Sequence, residues 1–172
     1  RQHKDNPVKW LAWNKESLEK AKIEKKPIFL SVGYASCHWC HVMAHESFEN
    51  NDTAKIMNEN FINIKVDREE RPDLDFIFQK SLAILTGAQG GWPLSMFLDE
   101  NAVPFTGGTY FPPKELQGRP SFNNVLANVS KVYQENREKI LNQAVQMKDV
   151  FRNINQKNAV LKQDLEPYVE KI

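Results

Sequence analysis

The segment Pro27-Ile28-Phe29-Leu30-Ser31-Val32-Gly33-Tyr34-Ala35-Ser36-Cys37-His38-Trp39-Cys40 joins a short apolar run to a C-x-x-C pair. The run from Pro27 to Val32 suits a buried strand. Gly33 to Ser36 then turns the chain, and from Cys37 to about Phe48 the pattern is helical. Upstream, Ser17 to Lys25 carries good helix formers with alternating charge, and Pro27 stops it. The cysteines therefore stand at a strand-to-helix junction. There Cys37 occupies the helix start, where unpaired amides and the macrodipole favour negative charge. A thiolate is the nucleophile in exchange chemistry, and depressed pKa values in such motifs make it available near neutral pH. One pKa unit corresponds to about 1.4 kcal/mol, so two or three modest interactions suffice. Cys40, nearly a turn further on and expected to be buried, would attack the mixed disulfide and release the substrate.

Beyond this segment the pattern continues as strands and helices in alternation. Asn50, Asn51 and Asp52 break the chain and can cap a helix over Thr53 to Asn58. Phe61 to Val66 reads as a second strand, followed by a charged loop from Arg68 to Arg71 and a helix from about Pro72 to Leu85. Gly87, Gly90 and Gly91 turn the chain into Trp92-Pro93, and Leu94 to Leu98 is a third strand. Val103-Pro104-Phe105 begins a fourth, which the segment Gly107 to Pro113 closes. Phe122, Val125, Leu126, Val129, Val132 and Tyr133 recur at helical spacing, and so do Ile140, Leu141, Ala144, Phe151 and Ile154. Residues 1–13 read as an irregular arm, with Trp10 and Trp13 packing on the domain. The order predicts an α/β protein: a central mixed sheet flanked by helices, with a long C-terminal helix.

A chain of 172 residues fits one domain. That domain is expected over residues 1–156, and the polar stretch 157–172 reads as a connector toward a further domain. Hydrophobic residues at 41% and charged residues at 26% are ordinary for a soluble globular protein. A net charge of +1 gives no global field for nucleic acid or an anionic membrane. No apolar run approaches the roughly 20 residues that span a bilayer. The first residue is Arg1, so the lack of a targeting segment carries no meaning. Two cysteines confined to one short motif suggest a reactive or ligating pair rather than a stapled secreted framework, and favour a cytoplasmic setting over a secreted one.

Three other residues surround the pair as modulating candidates. His38 can donate to the Cys37 thiolate or, when protonated, attract it; Trp39 lies between the cysteines; His41 is about one turn beyond Cys37 on the same face. The plain alternative makes His38 a solvated helix-start residue and His41 part of a packing surface. His45 and Glu46 read as structural or solvated. The motif also matches C-x-x-C-H, the haem-attachment signature, but a strand before it argues against a small helical haem domain. A zinc site from Cys37, Cys40, His41 and His45 would crowd four ligands onto one helix, whereas zinc fingers use two separated pairs. No metal or cofactor is expected.

Several blocks together carry a more specific likeness. They are Gly33 to Met43, His45-Glu46-Ser47-Phe48-Glu49, Lys65 to Asp73, Gly90-Gly91-Trp92-Pro93-Leu94, and Gly107 to Pro113, with His3 to Val8 at the start. They resemble the N-terminal domain of the spermatogenesis-associated protein 20 family from about residue 3 to residue 125. The resemblance implies a thioredoxin-like fold and thiol–disulfide exchange through Cys37 and Cys40 on a protein or small-molecule substrate. It also implies a downstream helical barrel domain in the same polypeptide. By analogy with thioredoxins, Pro93 is expected to be cis and to face Cys37, with Trp92 and Pro93 offering a substrate edge. One departure stands out. Thioredoxins carry a buried acid on the strand before the motif, which helps deprotonate the second cysteine, and Ser31 occupies that position here. Serine cannot serve as that base. The rival reading is therefore a redox-sensing or protein-interaction module that kept the fold.

Overall fold

The computed structural model describes residues 5–144. Strand β1 is Trp10–Leu11. Helix α1, Lys15–Glu24, begins at Asn14, whose side chain accepts the Ser17 amide at 2.9 Å, and ends at Lys25 in the left-handed conformation. Strand β2, Ile28–Gly33, is buried along its whole length. Helix α2, His38–Met43, runs directly into a π-helical turn over Ala44–Phe48. Helix α3, Asn51–Asn60, is capped by the Asn50 side chain, which accepts from the Asp52 and Thr53 amides. Strand β3 is Ile62–Asp67. Helix α4, Pro72–Thr86, has Pro72 in its first turn, where a missing amide is harmless. Its acidic first turn suits the macrodipole, and Gly87 closes it at φ 73°. Strands β4, Leu94–Leu98, and β5, Pro104–Gly108, follow. Helix α5, Phe122–Glu135, starts at Ser121, whose side chain accepts the Asn124 amide.

The sheet order is β1-β3-β2-β4-β5. β1 and β2 both run parallel to β3, while β4 is antiparallel to β2 and to β5. The mixed sheet expected from the pattern is present. β2 lies at its centre with helices on both faces, which is why its sequence is a continuous apolar run rather than an alternation.

Two details differ from the sequence reading. Part of the expected irregular arm is a strand, because Trp10 and Leu11 pair with Asn63 and Ile64 on the outer edge of β3. A two-residue strand has no periodicity to read, and its existence depends on that edge being open. The helical stretch after Phe122 is interrupted: α5 ends at Glu135, Asn136 departs from helical geometry, and residues 137–144 are helical again. Phe151, Ile154 and the expected connector at 157–172 lie outside the described residues.

Strand alternation divides the core in two. On one face Ile28, Leu30, Val32, Ile62, Ile64, Val66, Leu94, Met96 and Leu98 pack with Ala21 of α1 and Leu74, Phe78 and Leu82 of α4. On the other, Phe29 and Phe97 pack with Phe61, Met43, Phe48, Met57, Phe122 and Leu126. Further along this second face, Ser31 is registered with Lys65 on one side and Ser95 on the other. The aromatic core thus gives way to a polar row near the end of the sheet that leads to the cysteines.

Candidate functional site

The six buried residues of β2 deliver the chain to a tight turn in which the Cys37 amide donates to the Tyr34 carbonyl at 3.1 Å. Cys37 is then the N-cap of α2, with extended φ −77° and ψ 111°, and its Sγ accepts the Cys40 amide at 3.3 Å. Cys37 and Cys40 form a disulfide with Cα atoms 5.3 Å apart, within the ordinary range for such bonds. The Cys40 sulfur rests on Gly33: a Cβ placed on that glycine would lie 2.8 Å from it. Glycine at the end of β2 is what allows the helix start to sit this close to the sheet.

Accessibility is the reverse of the expectation. Cys37 is only 3% exposed, whereas Cys40 is partly exposed. The N-cap geometry turns Cys37 back over the first helical turn, and Cys40 lies beside a cavity. This cavity, about 530 Å³, is lined by Cys40, Gly33, Ser31, Lys65, Phe48 and Pro93, among others.

The modulating candidates are spread around the pair. His38 is exposed, and its ring lies 5.5 Å from that of Trp39 rather than hydrogen-bonded to Cys37. Trp39 is 53% exposed and packs against Tyr110 at 5.1 Å. Tyr110 donates its hydroxyl to Glu46 at 2.5 Å, and burial together with that carboxylate pushes the phenol up to about 12. His41 Nε2 meets the Ala35 carbonyl at 2.5 Å, so it closes the turn before the helix. His45 pairs with Glu49 at 2.9 Å, one turn along, with both exposed. Of the four zinc candidates, the two cysteines are bonded to each other and the two histidines have partners elsewhere. Among the described residues no three His, Cys, Asp or Glu side chains are arranged to hold a metal ion.

The Trp92–Pro93 bond is cis. Because Val32 is registered with Leu94, Pro93 comes next to the Gly33 end of β2, and it lines the same cavity as Cys40. The Trp92 side chain turns toward α4. Its indole donates to Asp75 at 2.8 Å, and the Arg68 guanidinium lies 4.1 Å above its ring while approaching Asp75 at 3.8 Å. Gln79 donates to the Gly91 carbonyl at 3.0 Å, holding the loop that enters the cis bond.

Sequence reading missed Asp75, Arg68 and Lys65. Lys65 did carry a signal: it is a charged residue at an inward position of the alternating strand Phe61 to Val66. Its ammonium lies 5.4 Å from the Trp10 ring and 5.9 Å from that of Phe48, and burial pushes it down to about 8.

The family Thioredox_DsbH, described as "Protein of unknown function, DUF255", matches residues 1–152. The chain belongs to this family. Among curated relatives of this Thioredox_DsbH domain, uncharacterized protein B0495.5 of Caenorhabditis elegans is 48% identical over 146 residues, covering 85% of this chain and 20% of that protein. Human spermatogenesis-associated protein 20 is 46% identical over 140 residues, covering 81% of this chain and 18% of that protein. The likeness read from the sequence blocks is borne out. The chain spans about a fifth of the length of these relatives. A solved structure described as DsbH Oxidoreductase matches with a TM-score of 0.50 at 20% identity, covering 74% of this chain and 83% of that one. The fold is thioredoxin-like, as the sequence indicated. No helix among the described residues is long and apolar enough to cross a membrane.

Proposed function

We propose that this domain carries out thiol–disulfide exchange through Cys37 and Cys40. The observation that carries the reading is the disulfide at the start of α2, with the Cys37 sulfur already accepting the Cys40 amide. In the reduced protein that amide and the helix start favour a Cys37 thiolate. The thiolate attacks one sulfur of a substrate disulfide. A Cys37–substrate bond forms, and the electron pair of the broken bond leaves on the other substrate sulfur, which takes a proton from solvent. Cys40 then attacks Cys37, restores the internal disulfide and releases the second substrate thiolate. His38, exposed and next to Cys37 in the chain, is proposed to modulate the pair, and the exposed Trp39 with the half-buried Tyr110 forms an aromatic rim for a protein or small-molecule substrate. Pro93, which lines the cavity with Cys40, and the Trp92 backbone before it are proposed as the substrate edge. The buried Cys37 and the serine at position 31 support a second reading, a redox-sensing or docking module. The much longer relatives support a further domain in the same polypeptide, for which a downstream helical barrel is proposed.

Equilibration of the reduced protein with glutathione buffers decides between these readings. A reversible two-electron transition is expected, with a potential above the thioredoxin level of about −270 mV. A glutathione adduct should accumulate on Cys37 in Cys40→Ser. Folded protein in which neither cysteine exchanges with glutathione would leave the module reading in place.

A further inference from the structure

We propose that Lys65 accepts the proton of Cys40 as Cys40 closes the internal disulfide, the task for which Ser31 is unfit. This rests on the exchange reading and adds a positioned acid–base residue to it. The register places Lys65 beside Ser31 on the neighbouring strand, about 4.8 Å away and on the same face of the sheet. Gly33, on which the Cys40 sulfur lies, is two residues further along that face, about 7 Å at the usual strand rise. A flexible four-carbon stem covers that separation. Lys65, Ser31, Gly33 and Cys40 all line one cavity, large enough for water to complete a relay.

The surroundings suit an amine that gives up its proton. Trp10 from β1 and Phe48 from the π-helical turn cover the ammonium and keep bulk water off it. Burial brings Lys65 down to about 8. About a tenth of it is then neutral at pH 7, against less than about one part in a thousand for an ordinary lysine. A base close in pKa to a thiol is the efficient acceptor for it. The other titratable groups on this cavity are Tyr34 from the turn after β2, His41 from α2, Asp67 at the end of β3 and Glu70 from the loop that follows. His41 is bonded to the Ala35 carbonyl, Glu70 is exposed, and Asp67 already accepts the Glu69 amide at 2.8 Å. β2 contributes only Ser31 and Gly33 to this face of the cavity.

The step balances as follows. Cys40 passes its proton to the neutral Lys65 amine, directly or through a water molecule. The Cys40 thiolate attacks Cys37 Sγ of the Cys37–substrate mixed disulfide. A Cys37–Cys40 bond forms while the Cys37–substrate bond breaks, and its electron pair leaves on the substrate sulfur. Lys65 returns its proton to solvent. The cysteine pair has lost two electrons and the substrate disulfide has gained two.

The test follows decay of a Cys37–glutathione adduct to the internal disulfide as a function of pH. In the unmodified protein the rate should rise with an inflection near pH 8. Lys65→Met should slow decay at pH 7 by on the order of 100-fold and leave only the ionisation of the Cys40 thiol itself, at about 8.5, in the profile. Lys65→Arg, which keeps the charge but cannot give up a proton, should be as slow as Lys65→Met. An unchanged profile in Lys65→Met, rescue by Lys65→Arg, or the same loss in Asp67→Asn with no effect of Lys65→Met would each overturn the proposal. If Cys37 takes up no glutathione at all, the exchange reading fails by itself. The Lys65 assignment is then decided in Cys37→Ser by thiolate absorbance: the Cys40 titration must move on adding Lys65→Met, and a fixed titration rejects it.

Discussion

Gly33→Ala probes the contact that places the cysteine pair against the sheet. The added Cβ would lie 2.8 Å from Cys40 Sγ and 3.5 Å from Cys40 Cβ. The backbone at Gly33 is ordinary strand, so alanine itself fits the conformation. In the oxidised protein the Cys40 sulfur is tied to Cys37 and cannot turn away. Overpacking of this kind costs about 1–3 kcal/mol. In the reduced protein the sulfur is free to change rotamer and relieve the contact. The gain of alanine over glycine within a strand, about 0.5–1 kcal/mol, applies to both forms and cancels in the comparison. The oxidised form should therefore lose about 1–3 kcal/mol relative to the reduced one. For a two-electron couple about 30 mV equals 1.4 kcal/mol, so the reduction potential should rise by about 20–60 mV. Glutathione equilibration gives the potential, and denaturant melts of the two forms give the same difference independently. An unchanged or lowered potential, or equal destabilisation of both forms, would refute the argument that the Cys40 sulfur is held on Gly33.

Two further perturbations test the frame around the site. Glu100 accepts Tyr133 Oη at 2.8 Å and Arg137 at 2.6 and 2.9 Å, and the Arg137 bonds above all hold its carboxyl below the usual range. A depressed folded pKa gives stability that is present above the unfolded value of about 4.3 and is lost as pH falls through the folded one. Glu100→Gln should lose about 1–3 kcal/mol at pH 7 and part of the acid dependence below about pH 4; urea melts at pH 7 and pH 3 check both, and an undiminished acid loss in the variant contradicts the assignment. Asp75→Ala removes the acceptor of the Trp92 indole and the partner of Arg68. It should lower stability by about 1–3 kcal/mol in denaturant melts, and a variant as stable as the parent would show that Trp92 is not anchored there.

The parts of the fold that were legible in the sequence are those whose signal is local. β2 announces itself because a central strand covered on both faces is apolar along most of its length, α3 because Asn50 can cap it, and α5 because Phe122, Val125, Leu126 and Val129 recur at helical spacing. The position of the cysteine pair was equally plain, since a C-x-x-C after a buried strand has one natural place. What the motif did not carry was its surroundings. The exposure order of Cys37 and Cys40 depends on how the helix start leans on Gly33, a contact with no signature beyond one glycine. The strand β1 depends on an open edge of β3, and the anchoring of Trp92 depends on Asp75 of α4, seventeen residues away. The π-helical turn at Ala44–Phe48 shares its apolar pattern with an ordinary helix, so the sequence cannot separate them.

The two ends of one sheet face explain why the site sits where it does. At one end Phe29 packs between Phe97, Phe48 and Phe122 at centroid distances of 5.2, 6.1 and 5.5 Å, which locks α5 and the π-helical turn onto the sheet. At the other end the same strands present Lys65, Ser31 and Ser95 in a row, with Ser95 donating to the Thr109 carbonyl at 2.9 Å. Phe48 belongs to both regions, since it closes the aromatic core and also covers the Lys65 ammonium. The π-helical turn is the element that brings Phe48 there, directly after the helix that begins at the cysteines. The cysteine pair and the cover over the half-buried Lys65 of β3 are therefore positioned by one continuous helical segment resting on one aromatic cluster. A change that loosens that cluster should alter the titration of Lys65 as well as the stability of the fold, whereas a change confined to the exposed Trp39 should leave both in place.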